Sequence, residues 1–134
     1  MKRWSIGVIV IFVVLGGAVL SMALWPKTDM DFATEGEAIF KYGDKDIVKK
    51  ILVDDFTKIC NLFDDKKLYS DNLSCGFSDN ICVMIDGSEH FCFACDSCPI
   101  VYWKNKNKFF KLAVSEYDEL TNILEKYGFT FPCL

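Results

Sequence analysis

Hydrophobic and polar positions divide the chain at Trp25. From Trp4 to Trp25 no residue is charged, and the run IGVIVIFVVLGGAVLSMALW is apolar throughout. About 20 such residues in a helix rise about 30 Å, the thickness of a bilayer's hydrocarbon layer. A buried soluble helix would carry polar residues on one face, so the pattern predicts a membrane-directing segment over residues 1–25. Lys2 and Arg3 hold its start on the inner side, which exports the remainder. The preferred reading is an uncleaved signal-anchor, because the run is longer than a usual signal-peptide core. The alternative is secretion after cleavage at Ala23–Leu24, with Ser21 and Ala23 as the small residues before the cut. In both cases residues 4–25 meet the membrane and the body lies outside the cytoplasm.

Pro26–Gly36 is polar with small residues and reads as a linker, leaving 37–134 as the domain. Glu37–Tyr42 is a short strand candidate, broken by Gly43-Asp44. Helical spacing follows at Ile47, Val48, Ile51, Leu52, Phe56, Ile59, Cys60 and Phe63. It predicts one amphipathic helix, capped by Asp44 or Asp46 and ending near Phe63. Ile81–Ile85 and His90–Cys95 flank Asp86-Gly87-Ser88-Glu89 and predict a hairpin. Ile100–Trp103 and Lys108–Val114 turn about Asn105-Lys106-Asn107. Ser115, with Asp118 three residues on, predicts the cap of a second helix carrying Tyr117, Leu120, Ile123, Leu124 and Tyr127 on its stripe. Gly128 stops it, and the tail to Leu134 alternates as an extended segment. The expected body is α+β: a two-layer domain in which an antiparallel sheet of 4–5 strands is packed by two helices.

A chain of 134 residues with 51% apolar content suffices for one packed domain. Removing Lys2 and Arg3 from the net charge of −4 leaves −6 on the remainder. Such a body has no general electrostatic affinity for nucleic acid.

The seven cysteines change the picture most. In an exported domain of this size they point to disulfides, since a staple closing a long loop contributes about 3–5 kcal/mol. The candidates are Cys75, Cys82, Cys92, Cys95, Cys98 and Cys133. Cys60, on the apolar stripe of the first helix, is the one expected to stay unpaired. Cys133 should tie back to the sheet or to Cys75, and Cys82 and Cys92 face each other across the hairpin if the register allows. The connectivity is otherwise open. The run Cys92-Phe93-Ala94-Cys95-Asp96-Ser97-Cys98-Pro99 has an alternative reading as a metal or cluster ligand set of Cys92, Cys95 and Cys98. No fourth cysteine follows at ferredoxin spacing, and no second C-x2-C pair completes a zinc ribbon. A redox dithiol at Cys95 and Cys98 would want a helix N-terminus after it, and a strand follows instead.

Other candidates are weaker. Lys104, Lys106, Lys108 and Lys111 surround a hairpin tip beside Trp103, Phe109 and Phe110. They offer contact with an anionic surface, or simply a solvated turn whose lysines discourage edge pairing. His90 shares a strand face with Cys92 but at a spacing beyond hydrogen-bond reach. The paired carboxylates at Asp29/Asp31, Asp44/Asp46, Asp54/Asp55 and Asp64/Asp65 follow no calcium-loop spacing and read as solvated faces. Asn72-Leu73-Ser74 has the form of a glycosylation site. No nucleophile elbow, phosphate loop or His-Glu-x-x-His occurs, so no catalytic constellation is expected and no cofactor is implied.

Through Ser74-Cys75-Gly76-Phe77, Cys92 to Pro99 and Tyr127-Gly128-Phe129-Thr130-Phe131-Pro132-Cys133, the chain resembles a loose group of small exported, membrane-anchored, cysteine-containing proteins of low-GC Gram-positive bacteria. That resemblance implies export and a compact body, and no activity. Two functions are then weighed. The first is a tethered or secreted binding module for a protein or envelope component, using the sheet face or the lysine hairpin. The alternative is an envelope thiol-redox or metal-binding protein using the cysteine run.

Overall fold

The computed structural model describes residues 26–70 and 75–133. The predicted membrane-directing segment, its cleavage site and Asn72-Leu73-Ser74 lie outside the described residues. Among the described residues no helix is long and apolar enough to cross a membrane.

The elements in order are β1 (Gly36–Tyr42), β2 (Lys45–Lys50), α1 (Val53–Phe63), β3 (Phe77–Ile85), β4 (Glu89–Ala94), β5 (Ile100–Trp103), β6 (Lys108–Lys111) and α2 (Val114–Glu125). The six strands form one antiparallel sheet in the order β2-β1-β3-β4-β5-β6. The α+β class and the two helices are as the sequence predicts. The sheet has six strands rather than 4–5.

The extra strand is β2, taken from the N-terminal half of the expected first helix. Ile47-Val48 and Ile51-Leu52 fit a helical period, but two apolar pairs cannot distinguish it from a strand with one residue on each face. Gly43 decides the matter. It adopts φ +60° as the first central residue of a two-residue turn, with Tyr42 opposite Lys45. That geometry matches the twist of a hairpin and returns the chain along β1. Ile47 then faces the core beside Phe40, and Val48 faces the other way beside Ile39. Consequently α1 starts only after Leu52, and neither Asp44 nor Asp46 caps it. The second helix also starts differently from expectation. Its N-cap is Ala113, whose N–H donates to Glu116 Oε1 at 2.9 Å, in place of the Ser115–Asp118 pair. The fourth hairpin strand stops at Lys111, because Leu112 and Ala113 lead into that cap.

Strand alternation sends one set of side chains to the helices. Ala38, Phe40, Ile81, Val83, Ile85, Phe91, Phe93, Val101 and Phe110 join Phe56, Ile59, Leu62 and Phe63 of α1 and Leu120, Ile123 and Leu124 of α2 in one core. Phe63 sits at its centre, with ring centroids 5.3 Å from Phe91 and 5.4 Å from Phe110. Both helices therefore cover the same face of the sheet. A polar tie joins the helical layer. Tyr127 donates to Asp55 Oδ2 at 2.7 Å and accepts from the Leu52 N–H at 2.9 Å. Asp55, expected on a solvated face, is only 8% exposed. It tolerates burial because Tyr127 and Lys126 both satisfy it.

Pro26–Gly36 lies against the body. Lys27 bridges Lys67, and Thr28 and Met30 are buried. The Lys66 N–H donates to the Thr28 hydroxyl, which donates in turn to the Phe63 carbonyl at the end of α1.

Candidate functional site

The face of the sheet turned away from the helices carries the chemistry. The strand registers align one residue from each strand in a straight row across it: Val48, Ile39, Cys82, Cys92, Tyr102 and Phe109. Tyr69 extends the row through a bridge to Phe109. An antiparallel sheet with one free face ordinarily presents polar residues there. Here the row contains no charged residue. Val48 is 53% exposed, and Ile39 and Tyr102 are half-buried. Phe77 packs on Tyr102 and Phe109 at centroid distances of 5.7 and 5.6 Å, and Tyr102 stacks on Phe109 at 4.8 Å.

Cys82 and Cys92 occupy the middle of this row yet are fully buried. A bulge in β3 explains it. The pairing runs from Phe77–Ala94 directly to Cys82–Cys92, so the intervening residues of β3 loop out of register. The loop folds Asp79 over the pair. Its carbonyl accepts from Cys82 Sγ at 3.2 Å, and its carboxylate lies 3.8 Å from Cys92 Sγ and forms an ion pair with Lys104. Lys104 holds the Asp79 carboxyl below its usual range. The neighbouring Cys82 thiol, and then burial, push the Cys92 thiol far upward.

Of the six disulfide candidates one pair is bonded, and the other four are free thiols that stand next to one another two by two. Cys95 and Cys133 are bonded, with Cα atoms 5.0 Å apart. Cys133 thus ties back to the end of β4, one of its two expected destinations. Cys75 and Cys98 have their sulfurs 3.3 Å apart. Cys82 and Cys92 stand directly opposite in the register, as the hairpin reading required. Cys60 is free and half-buried against the core, and burial pushes its thiol up to about 11. The run Cys92, Cys95, Cys98, read as an alternative ligand set, is divided among the three pairs. Alternation puts Cys92 on the helix-free face and Cys95 against the core, and Ser97 at φ +62° turns the chain toward Cys75. A bonded Cys95 has no thiolate to give a metal. The donors that do converge are Cys75, Asp96 and Cys98, within 4.8 Å of one another. The Cys75 thiol is raised to about 11 by contact with Cys98 and then by burial. Protonated thiols of this kind are poor nucleophiles at neutral pH.

The hairpin lysines do not form one patch. Lys104 serves Asp79, Lys106 sits 4.2 Å from the Trp103 ring centroid, and Lys108 donates to the Ser70 hydroxyl. Lys111 is exposed on β6. His90 makes local contacts only: its Nδ1 lies 3.0 Å from the Ser88 carbonyl, and its N–H donates to Asn105. Sequence reasoning missed Asp79 and the row itself. The row follows only from strand registers, which β2 and the bulge both set.

The clefts near Gly36, Asp79 and Tyr42 measure about 120, 220 and 230 Å³. Small-molecule sites usually need roughly 300–1,000 Å³. Comparison with protein-family models, with curated proteins and with solved structures finds no match.

Proposed function

We propose that the body is an extracytoplasmic binding module, tethered by the apolar N-terminal segment or released from it, that docks an envelope protein on the helix-free face of its sheet. The observation that carries this reading is the uncharged row across that face, ending in the exposed Val48. An apolar strip with polar surroundings is the usual form of a protein contact. Its rim is mixed in sign, with Lys41 beside Asp46 and Lys104 beside Asp79, which suits a protein better than a uniformly anionic polymer. The sub-pocket size of the clefts weighs in the same direction. The raised thiols weigh against the thiol-redox alternative. Export, and likeness to small exported cysteine-containing proteins of low-GC Gram-positive bacteria, belong to the same proposal.

A photo-crosslinker placed at residue 48 of the full chain, in its native compartment, tests it. We expect one recurrent partner from position 48 and none from Asn61, which is exposed on α1. With the crosslinker moved to Lys50, two residues along the same strand face, Val48→Glu should abolish the partner product with little change in melting temperature, because the Val48 side chain is half in water. Equal labelling from the Val48 and Asn61 positions, or none from either, would refute the docking face.

A further inference from the structure

We infer that Cys75–Cys98 and Cys82–Cys92 are disulfides in the mature protein, joining Cys95–Cys133 and leaving Cys60 as the single thiol. The inference is independent of what the sheet face binds. Each pair satisfies the geometric requirement by a different route. The Cys75 and Cys98 sulfurs already lie 3.3 Å apart, so a small rotation of each side chain brings them to bonding distance. Cys82 and Cys92 are direct cross-strand partners. Directly opposed residues of an antiparallel ladder have Cα separations of about 4.5–5.5 Å, inside the range of about 4.4–6.8 Å that a disulfide spans. Asp79 closes over that second pair, so its sulfurs have few other places to go.

The alternatives are excluded by direction. Cys92 faces away from the helices and Cys95 faces them, so neighbours in the sequence cannot pair without breaking β4. Cys60 packs against the core from α1. With the pairing complete, the short stretch from Cys92 to Cys98 becomes a hub. It is fastened to β3 by Cys92, to the tail by Cys95 and to the segment before β3 by Cys98.

Each bond forms by thiol–disulfide exchange with an oxidised dithiol of the extracytoplasmic space. One cysteine attacks that disulfide as its thiolate, and the second displaces the mixed intermediate. The two protein thiols lose two electrons and two protons, and the oxidant leaves as a dithiol. Burial makes the two sites unequal. Cys82 and Cys92 are sealed in the folded chain, whereas Cys75 and Cys98 are half-exposed. The inner pair must therefore oxidise before the Asp79–Lys104 lid closes, and the outer pair remains open to exchange afterwards.

Disulfide mapping of the full chain recovered from its native compartment tests this. Thiols are alkylated under denaturing conditions before any reduction. Cleavage before aspartates, which precede and follow Cys75, Cys82 and Cys98, is then combined with cleavage after Phe93, which separates Cys92 from Cys95. We expect the alkyl group on Cys60 alone and three cross-linked peptide pairs: 75 with 98, 82 with 92, and 95 with 133. Alkylation of Cys75 and Cys98 would overturn the outer bond, and alkylation of Cys82 and Cys92 the inner one. Any other connectivity would overturn whichever of the two bonds it replaces. Retention of one zinc per chain, added as zinc alone, that Cys75→Ser or Asp96→Asn abolishes would overturn the outer bond, for it would make that pair a metal clasp. Because Cys75→Ser can also misfold, its circular dichroism spectrum is compared with that of the parent.

Discussion

Removing the Cys95–Cys133 bond gives the sharpest test of how this body holds together. The bond closes a loop with a sequence separation of 38. Loop entropy at that length is worth about 4 kcal/mol. The whole domain is expected to have a stability of about 5–15 kcal/mol, so the loss is a large fraction of it. Packing losses centre on Phe131, which touches Tyr117 and Phe129, because Phe129, immediately after Gly128, is fully buried with its ring centroid 5.0 Å from that of Phe40 and does not depend on the bond. Only Thr130 to Cys133 is released, together with the hydrogen bond from the Cys133 N–H to the Cys95 carbonyl. At about 4–8 °C per kcal/mol for a domain near 100 residues, the melting temperature should fall by roughly 15–30 °C. The Cys95→Ser/Cys133→Ser double variant is the one to melt, followed by far-ultraviolet circular dichroism, because a lone Cys95 could pair wrongly with Cys98. Each single variant should melt near the double, since all three lack the same bond. A double variant within about 5 °C of the parent would refute the loop-entropy reasoning, and so would single effects that simply add.

Three further outcomes follow from the geometry. Gly128→Ala should cost about 1–2 kcal/mol from the backbone alone, because φ is +101°, and more because the new Cβ would lie 2.5 Å from Ile47 Cδ1; chemical denaturation measures it. The Tyr127 hydroxyl holds the Asp55 carboxyl below its usual range, so its contribution is present above about pH 4 and is lost as pH falls through the lowered folded value. Asp55→Asn should therefore lower stability at pH 7 by about 1.5–3 kcal/mol and flatten the acid limb of a pH–melting curve, whereas an unchanged limb would remove Asp55 as its cause. In protein kept reduced, Lys104→Ala should speed alkylation of Cys92 and leave Cys60 unchanged, because only the former lies under the Asp79–Lys104 lid; equal rates in variant and parent would dissolve the lid.

How much of this was legible depended on whether a residue's neighbours lay close in sequence. The hairpin about Asp86-Gly87, the strand Ile100–Trp103, the Asn107 turn and the stripe of α2 are local patterns, and the chain displays them. The place of Cys60 on the apolar stripe of α1 was also legible, and it packs against the core there. The β2 strand was not, because Ile47-Val48 satisfies both periods and the arbiter is the backbone angle of Gly43. Nor was the bulge that draws Asp79 over Cys82, because a register shift leaves no mark in alternation. The apolar row inherits both gaps: without β2 it loses Val48, and without the bulge its central cysteines would be open to water.

The two ends of the sheet are finished differently. At one end Tyr69 exchanges backbone hydrogen bonds with Phe109, in both directions, and occupies part of the β6 edge. At the other, β2 carries three lysines against one aspartate, so a second copy approaching that edge meets a net like charge. Copies crowded together can thus press face to face without their ladders joining into ribbons. Polymerisation is discouraged at the margins, which leaves the uncharged row free to stay sticky.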